Sequence, residues 1–249
     1  MPAASDSGKR MHLQLERIAG ARTSVAALVY RPRRPRGVWL VAGHGYSSSK
    51  HNLDFLCNFL ASHGFGVASL DFPGHKLGAS GGELRGFDDV LDAMHAVVEH
   101  VRDRYGETIY TMGHSMGAMT AIFTAGSDSG LAGTIAIATG LGRPSGIAAL
   151  QKKGVTDFRS AYVDGVTLPE LVAHVEEPFC AAIDRLAGRP QLYVAADRDA
   201  MVSLKSVEAL FDRAHDPRTF VTIQSDHTYA AENARREVLA WLNVLHPRD

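Results

Sequence analysis

The chain has 249 residues, 45% of them hydrophobic and 21% charged, a balance that excludes an intrinsically disordered or collagen-like polymer. Its 26 Lys and Arg stand against 27 Asp and Glu, so it lacks the basic excess that binding a nucleic-acid backbone requires. The two cysteines, Cys57 and Cys180, are too few and too far apart for a disulfide framework, a zinc ribbon or a C-x-x-C redox pair, and a cytoplasmic location is expected.

In chain order, residues 1–10 are small and polar with no apolar run behind their basic residues, which predicts a disordered tail and not a secretory signal. Nowhere do the ~18 consecutive apolar residues of a membrane span occur. Met11–Ile18 and Thr23–Tyr30 mix polar and apolar positions around a short turn and predict an antiparallel hairpin. Arg31–Arg36 (RPRRPR) follows as a solvated surface connection, its prolines unable to join a sheet.

From Gly37 the pattern changes. Val38–Ala42 (VWLVA) and Gly66–Phe72 (GVASLDF) are apolar runs of the kind buried on both faces of a parallel sheet, with a helical stretch, Asn52–His63, between them. After the loop Pro73–Gly86, apolar residues from Phe87 to Val101 recur at helical spacing. Short strands at Thr108–Met112 and Gly133–Thr139 flank a small-residue helix, Met116–Ala125. Then come a strand at Gln191–Ala196, a helix near Val202–Ala214, a strand at Arg218–Ile223 and a last helix at Tyr229–Leu245. Strand and helix in alternation predict an α/β fold with a mostly parallel central sheet flanked by helices. About fifty residues separate two of these strands, far more than the ~2–6 of an ordinary connection, so 141–189 is expected to be a lid or cap of two or three short helices. The core then comprises 11–140 and 190–249.

Gly113-His114-Ser115-Met116-Gly117 matches G-x-S-x-G directly after a predicted strand and at the start of a helix. That is the setting a nucleophile elbow needs, with glycines relieving a sharp turn that lifts the serine to a helix N-terminus. Gly78-Ala79-Ser80-Gly81-Gly82 matches as well, but no strand enters it and no helix leaves it. A serine hydroxyl needs a base, and the base needs an acid to hold its tautomer. Among the 12 histidines, His227 alone lies between the last strand and the last helix, where the sheet's carboxyl edge presents it. The acid is sought in Ala196-Asp197-Arg198-Asp199. Asp199 lies in the loop proper and is favoured, while Asp197 at the strand end suits a turn cap or a pair with Arg198, and Asp226 is a remoter alternative. The backbone N–H of Met116, and that of Tyr46 in the glycine-rich loop after Val38–Ala42, are candidates for the oxyanion hole.

Together these residues resemble an α/β-hydrolase of the esterase, lipase and serine-aminopeptidase-like group, over nearly the whole chain. The family's H-G-x loop is matched by His44-Gly45-Tyr46, its D-x-x-G-H loop by Asp71–His75, its elbow by Gly113–Gly117, its G-x-x-D loop by Ala196–Asp199 and its late histidine by His227. The resemblance implies that the acid is Asp199, that Tyr46 N–H donates to the oxyanion, and that 141–189 is the family's lid. Two departures stand out: Lys76 replaces a glycine of the family's G-H-G-x-S, and Ala196 replaces the glycine of G-x-x-D.

The expected protein is therefore a serine hydrolase of carboxylesterase, lipase or thioesterase type. It would cleave an ester or thioester of a hydrophobic acyl substrate through Ser115, His227 and Asp199, without cofactor or metal and with a small-molecule acyl substrate as partner. His44, Phe158 and Tyr162 are candidates for substrate contact, the two aromatics because the lid is expected to cover an apolar chain. The competing expectations are a thioesterase or acyltransferase that releases or cyclises a biosynthetic chain, and a non-catalytic small-molecule binding module on the same fold.

Overall fold

The computed structural model describes residues 11–106, 108–142, 146–148, 151–152 and 154–248. The expected tail at 1–10 lies outside them. The strands are β1 (His12–Ala19), β2 (Ser24–Arg31), β3 (Val38–Gly43), β4 (Gly66–Leu70), β5 (Thr108–His114), β6 (Gly133–Ile137), β7 (Gln191–Ala196) and β8 (Arg218–Ile223). They form one sheet in the order β1-β2-β4-β3-β5-β6-β7-β8. β1 pairs antiparallel with β2, which pairs antiparallel with β4, and every later pairing is parallel. This is the α/β-hydrolase fold with its N-terminal hairpin, as the alternating pattern predicted.

The all-apolar runs are buried because helices cover both faces of the sheet. Every residue of β3, β4, β6 and β7 is buried. One face carries α1 (Asp54–Ser62), through Leu56, Cys57 and Leu60, and α9 (Arg235–Leu245), through Val238, Trp241 and Leu242. The other carries α2 (Phe87–Tyr105), whose Val90, Met94, Val97, Val98 and Val101 form one apolar stripe, and α3 (Met116–Ser127), buried along almost its whole length. Each such fully buried aliphatic side chain contributes about 1.5–3 kcal/mol of transfer free energy. α2 ends where Gly106 takes the left-handed conformation (φ 59°) and returns its amide to Arg102 O.

Two expectations need correction. The last helix is not continuous from Tyr229: a short α8 (Ala230–Asn233) breaks at Ala234 before α9. The segment 141–189 is not all cover. It holds α4 (Val155–Ser160), α5 (Leu168–Val172) and α6 (Glu176–Asp184), and α6 packs on α3 as part of the core. There a Cβ on Gly126 would come within 2.6 Å of Ala182 O, Phe179 lies 5.4 Å from the Phe123 ring, and Arg185 Nε donates to Gly126 O. Among the described residues of 141–189, those that face the crevice beside Ser115 all precede α6. α7 (Leu204–Arg213) follows β7, with Ser203 Oγ capping its first turn by accepting from Ser206 N.

The front of the cover is fastened at mid-length. Asp164 N donates to Gly74 O, Leu84 N to Asp164 O, Val166 N to Leu84 O and Lys76 N to Tyr162 O. Lys76 Nζ adds a hydrogen bond to Ala161 O and an ion pair to Asp164, each at 3.0 Å. The family departure at Lys76 is thus a tie between two loops. Among the described residues no helix is long and apolar enough to cross a membrane.

Candidate active site

The order of strands reverses between β3 and β5, and at such a switch point the loops leaving two adjacent strands diverge and open a crevice at the sheet's carboxyl edge. The Gly43–Ser47 loop leaves β3 there, and Ser115 follows β5. Asp199 and His227 come from the loops after β7 and β8, on the same edge.

Ser115 sits on the turn from β5 into α3 with φ 55° and ψ −113°, a backbone state that non-glycine residues avoid and that costs on the order of 1–3 kcal/mol. The glycines around it are required by close approach. A Cβ on Gly113 would fall 2.2 Å from the Gly117 carbonyl carbon, and one on Gly117 would fall 2.0 Å from Gly43 O. Strand, turn and helix are therefore pressed together, and Ser115 is held by its amide to Ile137 O at 2.9 Å.

His227 is 7% exposed. Its Nε2 lies 3.1 Å from Ser115 Oγ and its Nδ1 lies 2.7 Å from Asp199 Oδ2. The other carboxylate oxygen of Asp199 accepts from the backbone N–H groups of Met201 (2.7 Å) and Val202 (2.8 Å). Burial pushes the Asp199 carboxyl upward, but the contact with His227 and the two amides outweigh it and hold the acid below its ordinary value. An ionised Asp199 fixes the proton on Nδ1 and leaves Nε2 to accept from the serine. Asp197, the alternative acid, faces elsewhere: it accepts from Ser225 N at 3.0 Å and lies 3.6 Å from Arg198 Nε. Asp226 accepts from Tyr229 N and closes the turn after His227.

Tyr46 and Met116 line the same cavity as Ser115. Gly45 brings their loop against the elbow, for a Cβ there would stand 3.3 Å from His114 Nδ1 and 3.4 Å from Ser115 Cβ. Met116 opens α3, so its N–H has no acceptor within the helix. The Tyr46 side chain turns away to the cover and donates from its hydroxyl to Val166 O at 3.0 Å.

The three candidates for substrate contact are not placed for it. His44 is fully buried and lies outside the cavity lining. It donates from Nδ1 to Gly45 O and accepts the Phe72 amide at Nε2, which locks the Gly43–Ser47 loop to the Asp71 loop. Burial and the neighbouring His75 push its pKa down to about 3, so it works as a neutral bracket. Phe158 is 68% exposed and stacks edge-on with Tyr162 on the outer surface of the cover. Neither ring lines the cavity.

Other residues do the supporting work. His114, one position before Ser115, donates from Nε2 to His227 O at 2.8 Å, and its ring lies 4.7 Å from the His227 ring. Its pKa is pushed down to about 3 by burial and by the nearby His227. Lys50 and Asp71 form a buried ion pair, with Asp71 also accepting the amides of Lys50 and Ala79. Ser80, in the second G-x-S-x-G match, is buried between Ala26 N and Asp71 O and serves the fold. The cavity holds about 630 Å³ and has an aliphatic wall that includes Leu141, Ile147, Leu168, Val172, Met201 and Val202. Among the described residues no group of His, Cys, Asp or Glu is arranged to hold a metal ion.

A switch-point crevice with a serine on a strained elbow, under an imidazole backed by a carboxylate, defines the α/β serine hydrolases. The chain belongs to the S33 serine aminopeptidase family, whose model matches residues 33–177, more than half of its length. That match includes the Gly43–Ser47 loop and the turn at Ser115 and stops before Asp199 and His227. No curated protein matches the chain. Among solved structures, an esterase of Pyrococcus furiosus is similar at 17% identity and a TM-score of 0.72, over 94% of this chain and 90% of that one. Est1E of Butyrivibrio proteoclasticus, solved with ferulic acid bound, is similar at 18% identity and a TM-score of 0.70, over 91% and 99%. A serine hydrolase of Xanthomonas campestris described as lacking a lid is similar at 17% identity and 0.68, over 97% of both.

Proposed function

We propose that the protein hydrolyses carboxylic esters of acyl chains through a Ser115-His227-Asp199 triad and an acyl-enzyme. The observation that carries this reading is the unbroken chain of hydrogen bonds from Ser115 Oγ through both ring nitrogens of His227 to Asp199. In the first step His227 Nε2 takes the hydroxyl proton as Ser115 Oγ bonds to the ester carbonyl carbon. The charge that develops on the carbonyl oxygen is met by the N–H groups of Tyr46 and Met116. The tetrahedral intermediate collapses as His227 returns the proton to the departing alkoxide, leaving an ester on Ser115. Water, deprotonated by the same imidazole, attacks that ester, and the acid is released with the proton back on Ser115.

An apolar acyl chain suits the aliphatic wall named above, whereas the exposed rings of Phe158 and Tyr162 contribute nothing to it. The esterase fold neighbours and the ferulic acid bound to Est1E agree with an ester substrate. The test is labelling by a fluorophosphonate combined with turnover of 4-nitrophenyl esters of increasing chain length. Labelling at Ser115, abolished in Ser115→Ala together with at least ~10³-fold of kcat, is the expected result. A folded protein that neither labels nor turns over would leave the binding-module reading in its place.

A further inference from the structure

We propose that the cavity beside Ser115 takes an ester whose chain carries a second, anionic group, a carboxylate held by Arg159 with Lys205 assisting. This rests on the hydrolase reading above. Arg159 belongs to α4 of the cover and reaches down to the oxyanion loop, where its Nη1 donates to Ser47 Oγ at 3.3 Å. Ser47 directly follows Tyr46 and itself holds a left-handed backbone, φ 59°. Lys205 stands in the first turn of α7, on the wall formed by the acid loop. Both cations line the cavity.

Among the described residues the lining holds a single carboxylate, Asp199, and His227 and two amides already engage it. Glu176 lies outside the lining and accepts the Gly142 amide. Among the described residues, no Asp or Glu forms an ion pair with Arg159 or Lys205, in contrast to Arg22, Arg85, Arg102 and Arg213 elsewhere on the chain. The charge of Arg159 also reaches the elbow, where it adds to the causes that keep His114 neutral.

Arg159 is half-buried and Lys205 exposed, both beside the aliphatic part of the wall, and with no acidic partner among the described residues each is available to an anion that enters. A guanidinium fork matches the two oxygens of a carboxylate, and an ammonium near the mouth raises the local concentration of an anion. A half-ester of a dicarboxylic acid satisfies both parts of the wall: its methylenes lie on Leu141, Ile147 and Val172, and its free carboxylate meets Arg159.

The test uses monomethyl adipate and methyl hexanoate, similar chains with and without the charge. Titration calorimetry with Ser115→Ala is expected to show the half-ester bound at least about tenfold more tightly, since hydrogen bonds between charged groups are about twice as strong as neutral ones. That advantage should shrink about tenfold when Arg159→Gln is added, less with Arg159→Lys or Lys205→Gln, and should fall as salt is raised. Equal affinity for the two esters, or an advantage indifferent to both Arg159→Gln and Lys205→Gln, overturns the proposal. Turnover by the unsubstituted protein separates the two readings. Hydrolysis without preference for the half-ester removes the anion site alone. Arg159-dependent binding without any hydrolysis keeps the anion site and removes the esterase.

Discussion

Replacing Asp199 by Asn tests the mechanism most sharply, because it changes charge and proton placement with almost no change of shape. The amide oxygen can still accept from Met201 N and Val202 N, as Asp199 Oδ1 does now. Its NH2 group then faces His227 Nδ1, across what is a 2.7 Å contact in the parent. The ring nitrogen must accept, so the proton moves to Nε2, and Ser115 loses its base. The imidazolium formed during attack also loses its counter-charge. At an effective dielectric constant of about 20 and a charge separation of about 4 Å, that attraction amounts to ~4 kcal/mol. Since ~1.4 kcal/mol is a factor of ten in rate, kcat should fall by about 10³, and the displaced proton takes the loss toward ~10⁴. Steady-state kinetics on a 4-nitrophenyl ester measures it, with the melting temperature as a control for folding. Asp197→Asn is the companion variant: that carboxylate is 40% exposed and contacts Ser225 N and Arg198, so its loss should stay below about tenfold. Similar losses at the two positions, or a loss under tenfold at Asp199, would refute the reasoning.

Stability should depend on pH through the buried imidazoles. His44 and His114 are held neutral down to about 3, and burial lowers His75 as well. Unfolded histidines bind protons below about 6.5, so the stability these groups confer is full above that pH and drains as pH falls toward 3, at up to ~1.4 kcal/mol per unit for His44 alone. Scanning calorimetry should show a melting temperature that drops from pH 6.5 to 4.5, and a flat profile would contradict it. Lys50→Met should cost about 3–5 kcal/mol in denaturant unfolding by leaving Asp71 buried and unpaired, and Asp71→Asn in the same chain should recover part of that; a cost under about 1 kcal/mol would mean that the pair is solvated. Phe158→Ala should change kcat/KM on any ester by less than twofold, whereas Val172→Phe, which fills the aliphatic wall, should cut turnover of long acyl chains more than of short ones. A chain-length profile of initial rates reads both, and the reverse pattern would restore the outer aromatic pair as a substrate contact.

The sheet and the meeting place of Ser115, Asp199 and His227 were legible because each stands directly after an apolar run buried on both faces, and such runs are hard to mistake. The elbow was distinguished from its copy at Gly78–Gly82 by the same flanking context. The cover was not legible at the level of side chains. Its helices are short and its apolar residues are interleaved with charge, so periodicity could not say that Phe158 and Tyr162 face outward while Leu168 and Val172 face the cavity. Nor could it show that Phe179 and Ile183 join the core under α3. His44 sits in a motif that reads as a loop, and only coordinates show its Nε2 beneath the Phe72 amide. Lys50 lies in a polar run, Ser47–Asn52, that gives no sign of burial, because the carboxylate it meets is twenty-one positions away. His114 was hidden by proximity: the carbonyl it supports belongs to a residue more than a hundred positions later.

The fastening at Lys76 and Asp164 bears on how anything reaches Ser115. A flap hinged at its two ends swings freely in between, but here the chain from Tyr162 to Val166 is sewn by main-chain hydrogen bonds to the strip from Gly74 to Leu84, and Tyr46 is tethered to the same stretch. Displacing that portion as a unit would tear several of these bonds at once and pull on the Gly43–Ser47 loop beside Ser115. The sewn stretch therefore works as a fixed jamb beside the cavity, and Arg159 and Ser160, bonded to Ser47 and Tyr46, stand at its edge.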